Sequence, residues 1–233
     1  MKINTLAAVL LIASLLAPGM PCLADDGRPD STIEGLQLIE DSNLALVYAR
    51  PDADLSQYRR VYLTEPYVAI KKNWQHLRKR YDPNTVTAND MAKIRAELSS
   101  LFKEVFSRTL EQGGYEMTTE RADDVLLVKP AIINLDIVAP DMAPNDNVRT
   151  YSESAGEMTL YLELYDSVTD DILAKALDRK KDRETGYFRW QTRLTNRAAA
   201  NRILQVWADV LKEGLDEARV SPIAPSESDG LIE

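Results

Sequence analysis

The chain has one cysteine, one histidine and nine glycines among 233 residues, and each shortage removes a class of chemistry. A lone cysteine, Cys22, cannot close a disulfide within the chain. A lone histidine, His76, would leave a zinc site to find its other ligands among carboxylates, and no His-Glu-x-x-His occurs. The same histidine could serve a Ser-His-Asp triad only with an elbow serine, and Gly-x-Ser-x-Gly is absent. No glycine-rich loop follows a strand-like run. Gly113-Gly114 instead closes a helical pattern, the wrong end for phosphate capture. Lys and Arg number 28 against 37 Asp and Glu, for a formal net charge of -9. That balance disfavours wholesale binding to nucleic acid or to an anionic membrane surface. Long apolar runs are missing too: the stretch from Leu6 to Leu16 is short for a bilayer span.

That stretch has Lys2 before it and Pro18-Gly19 after it, the layout of an export signal. Cys22-Leu23-Ala24 places the expected cleavage after Ala24, which would remove the cysteine with the leader. A retained membrane anchor is one alternative. Lipidation of Cys22, giving an outer-membrane lipoprotein, is another. Gly19 and Pro21, however, stand where that pathway wants an aliphatic and a small residue. The expected layout is a signal peptide over 1–24, a flexible segment over 25–34, one α+β domain over 35–219 and a disordered tail over 220–233. A single domain of that length buries a core without staples.

Residues 156–181 organise the domain. Met158, Leu160, Leu162 and Leu164 alternate with Thr159, Tyr161, Glu163 and Tyr165, so one sheet face is aliphatic and the other amphipathic. Turn residues from Asp166 to Asp171 follow. Ile172, Ala174 and Ala176 then alternate with Leu173, Lys175 and Leu177, completing a long hairpin. Residues 35–49 read as a weak or edge strand, and residues 59–70 as a strand at an edge or bulged at Pro66. Residues 115–118 read as a short strand. Residues 125–138 form a long run interrupted by Pro130, with Ile133, Leu135 and Ile137 alternating beyond it. A helix is predicted after Thr87, with a capping pair to Asp90 and a stripe of Met91, Ile94, Leu98, Leu101, Phe102 and Val105. Gly113-Gly114 ends it. A last helix is predicted from a Thr195 cap, with Ala199, Ile203, Trp207, Val210 and Gly214 along one side. The fold class is α+β: a mixed, mostly antiparallel sheet of about five strands with two amphipathic helices on one face.

Tyr48 to Tyr58 reads Tyr-x-Arg-Pro-x-Ala-Asp-Leu-Ser-x-Tyr. With the strand after it, the first helix, the 157–166 strand followed by Ser-Val-Thr-Asp, and the Trp207 helix, it resembles DUF3313. That is a domain-of-unknown-function family of bacterial envelope proteins, many of them predicted lipoproteins. The resemblance covers residues 36–218 and implies an envelope location and a helix-on-sheet domain. It implies no catalytic residue, because the family has no assigned activity. The weak lipidation sequence before Cys22 departs from many relatives.

Little else carries chemistry. Ser100-Leu-Phe-Lys103 matches Ser-x-x-Lys, but its Lys-Thr-Gly partner is absent. Asp123-Asp124 and Asp170-Asp171 read as turn formers. What remains is two basic-aromatic segments on an acidic protein. One holds Lys71, Lys72, Trp74, Arg78, Lys79, Arg80 and Tyr81. The other holds Arg179, Lys180, Lys181, Arg183, Tyr187, Phe188, Arg189, Trp190 and Arg193. Interleaved Arg and aromatic residues suit stacking and acidic partners. Core packing of the rings is the alternative. The expectation is a non-enzymatic, periplasm-facing envelope protein that binds or assists assembly, with no cofactor and no metal, and with an acidic envelope component or protein as partner. The rival is a hydrolase of an envelope polymer using two carboxylates about five to ten ångströms apart.

Overall fold

The computed structural model describes residues 32–72, 74, 87–137, 151–152, 156–181, 189–190 and 193–220. The chain divides into two units; the first, Met1–Asp30, lies outside the described residues, and all that follows belongs to the second, Ser31–Glu233.

The alternating runs form the centre of the sheet. Strands β9 (Gly156–Asp166) and β10 (Ile172–Lys181) pair antiparallel, and β9 pairs on its other side with β7 (Val125–Ile137). Beyond β10 lie β3 (Leu46–Ala49), β2 (Leu36–Leu38) and β1 (Thr32–Ile33), all antiparallel. Beyond β7 lie β4 (Arg60–Leu63) and β6 (Glu116–Met117), both parallel, while β5 (Tyr67–Ile70) continues alongside β7 after β4. Among the described residues the main sheet has nine strands rather than about five. Six of them are four residues or shorter: residues 35–49 hold β2 and β3, residues 59–70 hold β4 and β5, and β1 is too short to display a period of two. A separate pairing joins β8 (Tyr151–Ser152) to β11 (Arg189–Trp190).

Pro130 does not end β7; it sits in register with Leu162 of β9. Its effect falls on the other side. Thr64 donates its N–H to Val128 O at 3.0 Å, and the next parallel ladder bond would need an N–H at Pro130. Pro66 lies in the same gap, so β4 and β5 are two strands with a one-residue shift between them. The strand expected over 59–70, at an edge or bulged at Pro66, is divided there into β4 and β5. The expected row of Ile133, Leu135 and Ile137 is not: Asn134 has φ 53° and adds one residue opposite β9. That bulge turns Leu135 onto the buried face of Ile132.

Helix α1 (Ala88–Gln112) starts as its sequence requires. Thr87 Oγ1 accepts from the Asp90 N–H, and the Asp90 carboxylate accepts from the Thr87 N–H, a reciprocal capping box. It ends on Gly114 at φ 82°, with Tyr115 N–H reaching Leu110 O at 3.1 Å and Gly114 N–H reaching Glu111 O at 2.9 Å. Leu98, Leu101, Phe102 and Val105 are buried as predicted, joined by Phe106 and Leu110, whereas Met91 and Ile94 are half-buried. Helix α2 (Arg193–Val220) begins two residues before Thr195, so Thr195 lies inside it rather than capping it. Its buried side is Ala199, Ile203, Leu204, Trp207, Ala208, Leu211 and Leu215; Gly214 is exposed. Both helices share one core with the Met158–Leu164 row, so both lie on that face of the sheet.

Candidate functional site

Strand β5 runs parallel to β7, and Ile70 pairs with Leu135 near the β7 end. At that end Ile137 pairs with Gly156, and Glu157 pairs with Lys181 at the end of β10. The two basic-aromatic segments therefore leave the same end of the sheet. Gly156 makes the close approach possible: its φ is 146°, and a Cβ there would lie 2.1 Å from Asp136 O.

Side chains tie these departures together. Lys71 Nζ lies 2.9 Å from Asp136 Oδ2 and 3.5 Å from Glu157 Oε1. Arg179 Nη2 lies 2.5 Å from the other Glu157 oxygen, Oε2. One carboxylate thus holds a cation from the head of each segment. Its hydrogen bond from Arg179 sets Glu157 below the usual carboxylate range, and the hydrogen bond to Asp136 raises Lys71. Lys180 pairs with Asp178 at 3.0 Å. Lys72 is exposed and makes no ion pair among the described residues.

Trp74 corrects an expectation. Expected on an interaction surface, it is 3% exposed, with Nε1 donating to Ile137 O at 3.1 Å. A large ring gains more from burial than from display, and its one N–H finds a strand-end carbonyl. Arg78, Lys79, Arg80, Tyr81, Arg183, Tyr187 and Phe188 lie outside the described residues, as does His76. Arg189 and Trp190 are described in backbone only, as β11. Sequence reasoning missed Glu157 and Asp136. The available signal was a carboxylate at each strand end facing a basic connector.

Several other described carboxylates hold structure. Asp124 accepts two bonds from the Arg60 guanidinium, at 2.9 and 2.5 Å. Asp170 pairs with Arg121 at 2.8 Å, and Asp166 accepts from the Val168 and Thr169 N–H groups of the hairpin turn. Ser100 is exposed; its neighbour Ser99 donates to Glu65, which also holds Lys103 at 3.2 Å. Each described carboxylate with a shifted pKa is held low, by hydrogen bonds or by a cation. Among the described residues, no helix is long and apolar enough to cross a membrane.

A family model described as a protein of unknown function, DUF3313, matches residues 34–211. No curated protein matches. Among solved structures, the PelC dodecamer from Paraburkholderia phytofirmans is similar at a TM-score of 0.37 and 10% identity, over 71% of this chain and 96% of that one. A DUF4136 family protein from Bacteroides thetaiotaomicron is similar at a TM-score of 0.31 and 12% identity, over 80% of this chain and 98% of that one.

Proposed function

Because the chain belongs to DUF3313, a family of unknown function whose model spans residues 34–211, we propose a non-enzymatic, periplasm-facing envelope protein that binds, or helps assemble, an acidic envelope component or partner protein. The observation that carries this reading is the clasp at Glu157, where Lys71 and Arg179 meet on one carboxylate. It brings the heads of two cationic segments to one place on a protein of net charge -9, and local sign can oppose net sign. Arg80 and Arg189, further along the two segments, are the residues proposed to meet the acidic partner, since guanidinium recognises carboxylate and phosphate through two parallel bonds. The leader-like residues 1–24 support an exported protein.

A carboxylate-based hydrolase needs one carboxyl group held protonated near neutral pH. The downward shifts among the described carboxylates run against that requirement.

The test is the double reversal Arg80→Glu with Arg189→Glu, assayed by cross-linked capture from the native envelope at low and high salt. Wild-type capture should be strong at low salt and fall with added salt, and the double variant should lose it at an unchanged thermal midpoint. Capture that ignores salt, or that survives the double reversal, defeats the reading.

A further inference from the structure

The sheet face turned away from both helices carries, beyond the Glu157–Arg179 pair, an ordered set of side chains. Register places them in transverse rows, because direct partners on neighbouring strands share a face. One row runs Tyr67, Ala131, Tyr161, Leu177. The next runs Lys129, Glu163, Lys175. The third pairs Tyr62, Leu127 and Tyr165.

The middle row satisfies itself. Glu163 Oε1 accepts from the Tyr161 hydroxyl at 2.5 Å and Oε2 from the Tyr165 hydroxyl at 3.0 Å. Lys175 Nζ lies 3.7 Å from Glu163 and 2.6 Å from Glu34. Lys129 Nζ sits 4.0 Å from the Tyr165 ring centroid and makes no ion pair among the described residues. With Glu34, which reaches Lys175 from outside the row, two lysines and two glutamates cancel, so the cluster has no net charge.

In the first row, Ala131 separates Tyr67 from Tyr161. The two tyrosines stand two strand spacings apart, about 9.6 Å, over a methyl floor. Tyr67 is 65% exposed. Each of the Tyr161 and Tyr165 hydroxyls has given its one proton to Glu163 and offers only lone pairs outward. An anion entering here would meet those lone pairs and Glu163. A cation would meet Lys129 and Lys175. A neutral, hydroxyl-rich ring suffers neither conflict: its hydroxyls donate to the phenol oxygens and to Glu163, while its C–H faces lie on aromatic rings.

We propose that this slot binds a neutral glycan, with one sugar ring seated on Ala131 between Tyr67 and Tyr161. The site is separate from the Glu157 clasp and does not depend on it.

The experiment is affinity electrophoresis of the full chain in native gels containing dextran, laminarin or hydroxyethylcellulose, with polygalacturonate as the acidic counterpart. The wild type should be retarded by at least one neutral polymer. Ala131→Phe fills the slot without removing a polar group and should abolish that retardation. Tyr67→Ala should weaken it about tenfold. Because Tyr67 is 65% exposed, its truncation leaves the core untouched, so it decides alone if Ala131→Phe does not fold. Polygalacturonate retardation that Arg80→Glu with Arg189→Glu removes and Ala131→Phe spares belongs to the basic segments, which separates failure of one proposal from failure of the other. Absence of retardation in all three neutral gels, or retardation indifferent to Ala131→Phe and Tyr67→Ala, overturns the glycan site.

Discussion

Trp207 donates its indole N–H to the carboxylate of Asp178 at 2.7 Å, with both side chains buried. Asp178 sits on the aliphatic face of β10, opposite Leu160, where a carboxylate survives only with partners. It has three: the Trp207 indole, the Ala45 N–H at 3.1 Å and Lys180 at 3.0 Å. The contact fixes the rotation of α2 on the sheet and anchors the loop before β3. Both elements lie far from β10 in sequence.

Trp207→Phe keeps most of the ring and removes the donor. Leaving Asp178 short of one bond should cost about 1–3 kcal/mol, read as a lower urea midpoint at unchanged slope. Replacing the pair together, Trp207→Phe with Asp178→Leu, should cost less than the two single changes summed. Equal midpoints for wild type and Trp207→Phe would show that the bond does not stabilise α2.

Two glycines make a matched pair. Gly114 has φ 82° in the cap of α1, and Gly214 lies exposed inside α2. A Cβ at either meets nothing within 4 Å, so space does not distinguish them. Conformation does. Gly114→Ala should destabilise by about 1 kcal/mol, because an L-residue pays for the left-handed region. Gly214→Ala should stabilise by about 1 kcal/mol through helix propensity. Thermal unfolding of the two variants should shift in opposite directions; shifts of the same sign would refute the argument.

The parts of the fold legible beforehand are those in which neighbouring residues decide the matter. Thr87 and Asp90 are three apart and cap each other. Met158 through Leu164 carry their period within seven residues. Pro130 misled because a proline reads as a break, while its missing N–H falls in a gap that Pro66 already makes on the adjoining strand. Asn134 hid a bulge, since its left-handed backbone leaves no mark on the hydrophobic pattern. At the candidate site, each segment leaves a strand and leads towards a helix, an order visible in the sequence. The Glu157 clasp is not visible there, because Lys71 meets Asp136 and Glu157 across 65 residues or more, and only the register of β5, β7 and β9 brings them together.

The stability of the hairpin turn should depend on pH at both extremes, for opposite reasons. Asp166 accepts from the Thr169 N–H at 2.9 Å, from the Tyr58 hydroxyl at 2.8 Å and from the Val168 N–H at 2.8 Å, and these bonds hold its carboxyl below the usual range, the Thr169 N–H most of all. The folded group binds its proton less tightly than the unfolded one, so its contribution is complete above the ordinary carboxylate pKa and is lost as pH falls below it. Tyr58 goes the other way: burial first, then its bond to Asp166, raises the phenol. Tyr165 is pushed up to about 12, chiefly by burial. A raised phenol contributes fully below its unfolded pKa of about 10 and is lost as pH rises beyond that value. Asp166→Asn should therefore flatten the fall of the urea midpoint on the acid side, and Tyr58→Phe should flatten it on the alkaline side; each also eases the opposite limb by a smaller amount, because the Tyr58–Asp166 bond contributes to both shifts. An acid limb in Asp166→Asn as steep as that of the wild type would remove Asp166 from the account of acid unfolding.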